Sequence, residues 1–203
     1  MRVQVIQGSL TDGRESLLVN ASNTNAALGS GVSGAIRHAC GAGYQEEIQS
    51  ALRERFGGPM EPGRVLMTGA GTHPTARWVA HVAVMDYRDG FKGSSFPTLD
   101  VIRLGCESLV AAIDALPERV TVAMVALGAG TGQLGVREPT KIACEAFAAY
   151  AREHGDAGKI AGVTFYRFNL FEYAAIADVV CRRFPEVLAS VSTDAQGLFQ
   201  PDR

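Results

Sequence analysis

The chain has 203 residues, of which 47% are hydrophobic and 20% are charged, and its formal net charge at pH 7 is −2. This composition is typical of a globular protein, and the length is compatible with one sizeable core in a single α/β domain. A chain without net positive charge has no overall field that attracts nucleic acid, although it can still recognise a group attached to nucleic acid.

Hydrophobic periodicity and turn residues predict alternating strands and helices along the first half of the chain. Strands are expected at residues 3–8, 17–20, 64–68 and 78–85, and helices at residues 32–40 and 44–55. Glycines punctuate the helices, and the pair Pro62-Gly63 marks a turn before the third strand.

The second half continues the alternation with longer helices. Strands are expected at residues 120–127 and 160–168, and helices at residues 98–116, from Glu138 onwards, and from Asn169 to about Phe184. The apolar run at 120–127 is typical of a central strand covered on both faces. In the helix at 98–116, one apolar face at helical spacing contains Val101, Leu104, Ser108, Leu109, Ala112 and Leu116.

Strands that alternate with helices predict an α/β fold, a three-layer α/β/α sandwich around a mixed sheet. We expect one domain over residues 1–184 and a flexible polar tail over residues 185–203. Ligands of such sheets bind beyond the carboxyl ends of the strands. Both glycine-rich loops of this chain follow strands, so both can open on the same crevice.

These two glycine-rich loops are candidate phosphate-binding segments. The first, at residues 29–34, precedes a helix, and the second, at residues 128–135, follows the predicted central strand. Glycine lets backbone N–H groups approach a ligand closely, and the amino end of a helix attracts phosphate. Both loops contain G-x-G-x-x-G, but the second strand and acidic residue of a dinucleotide-binding Rossmann unit are missing. A tight turn is the alternative for either loop.

Cysteine placement and the N-terminal sequence bear on where the protein works. The four cysteines are scattered and form no C-x-x-C pair, which favours free thiols in a reducing compartment over structural zinc. The start, MRVQVIQGSL, is typical of a strand rather than a signal peptide, and no apolar run reaches membrane-spanning length. We expect a cytoplasmic protein with no metal, no cofactor and no membrane contact.

The segments VNASN and LGSGVSGAI, with the later glycine loop, resemble the macro domain family. The resemblance covers roughly residues 3–184 and implies binding of ADP-ribose, free or attached to a protein, a nucleic acid or a small molecule. In the family the first loop holds the distal ribose and the second wraps the diphosphate. The implied loop contacts are Gly29, Ser30, Gly31, Val32, Ser33, Gly128, Ala129, Gly130, Thr131 and Gly132.

Two asparagines of VNASN follow the predicted second strand and are further site candidates. Their amides can donate and accept hydrogen bonds, which suits ribose hydroxyls, but asparagine also often satisfies loop backbone. We assign the structural role to Asn20 and the ligand contact to Asn23. The resemblance matches Asn23 to the family asparagine at the distal ribose, which makes it a catalytic candidate as well.

The resemblance also shows that the hydrolase residues of the family are replaced. MacroD-type hydrolases carry an aspartate ten positions after the asparagine, where this chain has Ser33, and a serine hydroxyl cannot act as a carboxylate base near neutral pH. A second hydrolase class, which the segment at 96–99 resembles, uses a lysine and a second-loop aspartate. Asp86 and Gly132 stand at those positions. Asp86 is thus a candidate catalytic base, with a solvated strand-end charge as the alternative.

The adenine end departs from the family pattern too. Family members usually open with Gly-Asp-Ile, whose aspartate accepts from the adenine amino group, and this chain has Ser9 and Leu10 there. Ser9 can accept one neutral hydrogen bond, the Leu10 N–H can reach the ring, and Asp12 is an alternative acceptor. Phe168, or alternatively Phe171, is expected to stack on adenine, although core packing is the commoner role of such aromatics.

Three functions remain open at this point. The first is binding of ADP-ribose with hydrolysis of ADP-ribosyl adducts, and the second is the same fold as a non-catalytic ADP-ribose reader. The third is a nicotinamide-dependent oxidoreductase, which the missing acidic ribose contact disfavours. His81 lies inside an apolar strand, where a histidine is more often a satisfied core residue than a base.

Overall fold

The computed structural model describes residues 1–186 of the chain. The strands are β1 (Arg2–Gln7), β2 (Leu17–Asn23), β3 (Val65–Gly69), β4 (Trp78–Met85), β5 (Val120–Met124) and β6 (Ile160–Arg167). The helices are α1 (Gly31–Cys40), α2 (Tyr44–Phe56), α3 (Leu99–Asp114), α4 (Arg137–His154) and α5 (Leu170–Arg183). The predicted tail lies outside the described residues except for its first two positions. No helix within residues 1–186 is long and apolar enough to cross a membrane.

The strands form a single six-stranded sheet in the order β1-β6-β5-β2-β4-β3. β3 pairs antiparallel to β4, and every other neighbouring pair is parallel. The predicted mixed sheet is therefore confirmed. Because β1, β2, β4, β5 and β6 run in the same direction, their carboxyl ends and the loops that follow them lie at one edge of the sheet.

Buried apolar residues cover both faces of the sheet, which confirms the three-layer sandwich. α3, α4 and α5 pack on one face, and α1 and α2 pack on the other. Side chains of a strand alternate between faces, so Leu17 and Val19 belong to the first cluster while Leu18 belongs to the second. This two-sided burial explains why the strand sequences are nearly continuous hydrophobic runs.

Three predicted elements differ from the structure. β2 continues through Asn23, three residues beyond the expected end, because Ala21, Ser22 and Asn23 still pair with β4. β5 ends at Met124 rather than at residue 127, and the buried residues after it already lead into the second glycine loop. The expected apolar face of the helix predicted at 98–116 is partly wrong, because Leu109 and Leu116 are buried but Leu104 is 47% exposed. The residues that α3 buries are Ile102, Gly105, Cys106, Leu109 and Ile113.

This rotation of α3 predicts unequal effects for two leucines of the same helix. Leu109→Ala removes a fully buried side chain and is expected to lower the free energy of unfolding by about 2–5 kcal/mol, because it leaves a cavity. Leu104→Ala changes a half-exposed position and is expected to cost less than about 1 kcal/mol. Urea titration followed by circular dichroism measures both values, and equal losses would contradict the observed packing.

Candidate functional site

A continuous cleft lies at the edge of the sheet where the parallel strands end. Its first part, the β1–β6 cavity, has a volume of about 360 Å³ and lies beside Ser9, Leu10 and Phe168. Its second part, the two-loop cavity, has a volume of about 320 Å³ and lies between the two glycine-rich loops. The two cavities share the lining residues Gly31, Val32, Val125 and Arg167. The cleft is therefore one elongated site with two compartments.

Local backbone geometry explains the glycines of the first loop. Gly31 begins α1 with φ +60°, a left-handed backbone conformation that residues with a Cβ rarely adopt. A Cβ on Gly34 would lie 2.9 Å from the Gly29 carbonyl oxygen, so this residue must be small as well. Beside Gly29 and Gly31 the space is open. The first N–H groups of α1 have no partner within the helix, and they begin at this opening.

The second loop folds tightly against itself and opposes the first. The Gly128 carbonyl oxygen accepts from the Leu134 N–H at 3.2 Å, and the Gly130 carbonyl oxygen accepts from the Gln133 N–H at 3.0 Å. A Cβ on Gly132 would overlap the Gly128 carbonyl oxygen and Pro97, so the loop can close only with glycine there. Gly130 and Thr131 are exposed on the cleft.

The electrostatics of the cleft favour an anion. Among the described residues that line the two-loop cavity, Arg167 is the single charged side chain. The Arg167 Nε donates to Glu172 Oε2 at 2.6 Å, which holds the guanidinium at the junction of the two cavities. The first turn of α1 contains no acidic residue that would cancel the positive end of its dipole. Glu172 lines the β1–β6 cavity and partly neutralises Arg167, so the N–H groups at the amino end of α1 are the main feature that favours a phosphate group in the middle of the cleft.

Phe168 and Phe171 are both exposed, at 71% and 85%, so core packing is the wrong expectation for either aromatic. Phe168 lines the β1–β6 cavity, as proposed for a stacking residue, while Phe171 does not. Ser9 is half-buried at the start of a short 3-10 turn, where its Oγ accepts from the Thr11 N–H at 3.3 Å. Leu10 is buried under the same cavity.

The two asparagines lie within β2, not after it, and face different surroundings. Asn20 is fully buried beneath the first loop and does not line the cleft. Asn23 lines the two-loop cavity while it braces the following turn: its Oδ1 accepts from the N–H groups of Asn25 and Ala27, at 3.1 and 3.2 Å. Its Nδ2 donates to the Ala27 carbonyl oxygen at 3.0 Å, which leaves one amide proton for a ligand.

The carboxylate of Asp86 belongs to a surface ion pair. Asp86 Oδ2 lies 2.7 Å from the Arg88 guanidinium, which also contacts Glu61, and Asp86 is not among the residues that line either cavity. The hydrogen bond from Arg88 holds the pKa of Asp86 below its usual range, which makes the carboxylate a weaker base. The catalytic role of Asp86 stays a prediction, and this geometry speaks against it.

Sequence reasoning missed several residues of the cleft, among them Arg167 and Tyr87. Arg167 ends β6 directly before Phe168, and a cation at the end of a parallel strand is a signal that could have indicated an anion site. Tyr87 follows β4 and lines the two-loop cavity, with its ring edge-to-face against Phe91 at 5.7 Å. The sequence predicts the neighbouring Asp86 as a site residue, whereas the structure places Tyr87 in the cleft.

Two other grooves lie elsewhere on the surface, and each is larger than either single cavity of the cleft. One of about 410 Å³ lies between α4 and α5, and one of about 490 Å³ lies between α3 and α4. Mainly charged or small helix side chains line both grooves, which lie away from the strand ends and contain no glycine loop. The chemistry of the lining residues therefore selects the cleft at the strand ends as the candidate functional site.

The fold and the cleft define an α/β domain with a candidate anion-binding site at the strand ends. A family model for the macro domain matches residues 19–143, and the chain belongs to this family. A relative in Aeropyrum pernix, an uncharacterized protein, is 33% identical over 142 residues, which is 70% of this chain and 68% of that protein. The O-acetyl-ADP-ribose deacetylase 2 of Pantoea vagans is 36% identical over 109 residues, which is 54% of this chain and 61% of that enzyme.

Solved macrodomains have the same fold. A variant of the Oceanobacillus iheyensis macrodomain with ADPR matches 93% of this chain and 94% of its own, with a TM-score of 0.72 and 17% identity. The Trypanosoma brucei macrodomain in complex with ADP-ribose matches 88% of this chain and 69% of its own, with a TM-score of 0.70 and 24% identity. At these identities the likeness establishes the architecture and leaves the residue roles to the geometry of the cleft.

Proposed function

We propose that this protein binds ADP-ribose, free or attached to a protein, a nucleic acid or a small molecule. One observation carries the proposal: two glycine loops and the amino end of α1 meet at a continuous cleft whose central charged side chain is Arg167. The solved macrodomains with ADPR and ADP-ribose support it. The diphosphate would lie at the junction of the two cavities, where N–H groups and Arg167 are available.

The two ends of the ligand follow from this position. In the proposed pose, adenine occupies the β1–β6 cavity and stacks on the exposed Phe168 ring, a contact worth about 1–3 kcal/mol per base. Ser9 offers adenine no charged acceptor, so the adenine end contributes less than a carboxylate contact would. The distal ribose occupies the two-loop cavity, near Asn23 and Ser33.

Hydrolysis of ADP-ribosyl adducts is a second candidate function, because relatives in Pantoea vagans and Escherichia fergusonii are O-acetyl-ADP-ribose deacetylases. The matched segments span 61% and 49% of those enzymes, so their activity is carried to this chain as a proposal. No carboxylate is present among the described residues lining the two-loop cavity. Any hydrolysis would therefore use a water positioned by the ligand's diphosphate and the loop contacts. We also propose that the protein is located in the cytoplasm.

ADP-ribose is expected to bind at least about tenfold more tightly than AMP, a difference of about 1.4 kcal/mol. The reason is that the loop contacts surround the diphosphate and the distal ribose, while the adenine contact is uncharged. Calorimetry with ADP-ribose, ADP, AMP and NAD measures the series. Equal affinities for AMP and ADP-ribose would contradict the proposed pose, and NAD preferred over ADP-ribose would revive the oxidoreductase alternative.

Gly31→Glu is expected to lower ADP-ribose affinity by about 10²-fold or more, because it places a negative charge where the diphosphate would bind. The space beside Gly31 is open, so the protein should still fold. Gly31→Ala is the matched control, since it imposes the same backbone strain at φ +60° without the charge. Circular dichroism verifies folding, and unchanged affinity in folded Gly31→Glu would make the first loop a structural turn.

If the protein hydrolyses an adduct, Asp86→Ala is expected to retain turnover within about threefold, because its carboxylate lies outside the cleft. Asn23→Ala is expected to lose about 10²-fold, since positioning would supply the catalysis. Turnover of O-acetyl-ADP-ribose and of ADP-ribosylated protein is the measurement. A 10²-fold loss in Asp86→Ala with retained ADP-ribose affinity would identify Asp86 as the base. No turnover by the wild type would leave the protein a reader.

A further inference from the structure

A chain of hydrogen-bonded polar side chains runs from the cleft into the core between the sheet and helices α1 and α2. Ser33 lines the two-loop cavity and contacts Asn20, and Asn20 contacts His81 on the adjacent strand. His81 in turn contacts Thr68 and Tyr44. All members except Ser33 are buried. Buried polar groups without partners are costly, so the protons of this chain must be distributed to satisfy its members.

Counting protons at the inner end assigns the tautomer of His81. Burial lowers the pKa of His81 to about 3, so the ring is neutral and carries one N–H proton. The Tyr44 hydroxyl donates to the Gly69 carbonyl oxygen at 2.9 Å. The Thr68 hydroxyl lies 2.9 Å from the Tyr44 oxygen and 3.1 Å from His81 Nε2.

Only one arrangement places a proton in each of these three contacts. Tyr44 donates to Gly69, Thr68 donates to Tyr44, and His81 Nε2–H donates to Thr68. If Nε2 carried no proton, Thr68 would donate to it, and the oxygens of Thr68 and Tyr44 would lie 2.9 Å apart with no proton between them. His81 is therefore the Nε2–H tautomer, with a bare Nδ1.

The bare nitrogen then orients the amide of Asn20. His81 Nδ1 can only accept, so it faces the Asn20 Nδ2 donor at 3.2 Å. This orientation directs Asn20 Oδ1 toward Ser33, whose hydroxyl donates to it at 2.8 Å. The Ser33 proton is thereby committed to the core. Toward the cleft, Ser33 Oγ can therefore only accept a hydrogen bond, through its remaining lone pairs.

We propose that His81 and Asn20 are positioning residues that fix the Ser33 hydroxyl as a hydrogen-bond acceptor for a hydroxyl group of the ligand. With the proposed function as its basis, that group is a hydroxyl of the distal ribose, because a phosphate oxygen is itself an acceptor and gains nothing from Ser33. The same polarity disfavours a carboxylate at position 33, since Asn20 Oδ1 would then face a second acceptor. Asn20 Oδ1 therefore requires a hydrogen-bond donor, such as the Ser33 hydroxyl, at position 33.

Nuclear magnetic resonance of the ligand-free protein tests the proposed tautomer of His81 and its link to position 33. Long-range ¹⁵N–¹H correlation of the assigned His81 ring is expected to show a protonated Nε2 and a bare Nδ1 from about pH 5 to 8. Ser33→Asp should move the proton to Nδ1, because Asn20 must turn its amide to meet a carboxylate. A wild-type Nδ1–H tautomer, or an unchanged tautomer in folded Ser33→Asp, would overturn the proposal.

Affinities for ADP-ribose and ADP test the proposed hydrogen bond between Ser33 and the distal ribose. Ser33→Ala is expected to lower ADP-ribose affinity about 3- to 10-fold, the effect of one neutral hydrogen bond, without changing the affinity for ADP, which has no distal ribose. Ser33→Thr keeps the hydroxyl and should restore the ratio of the two affinities. His81→Phe should lower the same ratio, and adding Ser33→Ala to it should have little further effect. The Tm of each variant controls for folding, and Ser33→Ala carries the test if His81→Phe does not fold.

Failure of this inference and failure of the proposed function give different results. Wild-type protein that binds ADP-ribose, with a ratio to ADP that Ser33→Ala leaves unchanged, would overturn the inference and keep the function. Wild-type protein that binds neither ligand would overturn the function and the ligand contact of Ser33 with it. The tautomer of His81 would still decide whether the core sets the orientation of Ser33.

Discussion

The parallel pairing of five neighbouring strands is the constraint on which the site depends. It brings the carboxyl ends of β1, β2, β4, β5 and β6 to one edge, so loops distant in sequence meet there. The glycines follow from this crowding. Gly132 lies against the Gly128 carbonyl oxygen, and any larger residue would force the second loop to shift. The compact loops in turn leave the space that forms the two cavities.

A second constraint is that β2 buries a polar side chain, Asn20, inside the core. Asn20 is paired in register with His81 of β4, and neither side chain reaches water. Such a pair is tolerable only as part of a satisfied network, and the network here extends from Tyr44 in α2 to Ser33 in α1. The core thus connects the packing of α2 on the sheet with the orientation of a hydroxyl at the ligand site. Apolar residues of equal size would fill the same space without transmitting this orientation.

Most of the fold could be predicted from the sequence, because strand and helix periodicities and glycine boundaries are local signals. The face of α3 could not, since a glycine and a cysteine on its buried side look less hydrophobic than the exposed Leu104. In the cleft, the glycine loops could be predicted from the order of strand, loop and helix, and Asn23 from its resemblance to the family asparagine; all of them line the two-loop cavity. The exposure of Phe168 and the junction position of Arg167 could not be predicted, because both depend on where the end of β6 lies relative to other loops.

The electrostatics of the cleft come mainly from groups whose orientation is fixed by the fold. The attraction of the cleft for anions comes from backbone N–H groups, the amino end of α1 and one arginine that Glu172 already partly neutralises. Such dipoles are fixed before binding, so they bind a diphosphate at little reorganisation cost. A general base needs a group that can take up a proton near neutral pH. His81 is buried and neutral behind Ser33, and the Asp86 carboxylate is held by Arg88. No carboxylate lies among the described residues that line the two-loop cavity, so chemistry in that compartment would draw its base from the bound ligand or from water.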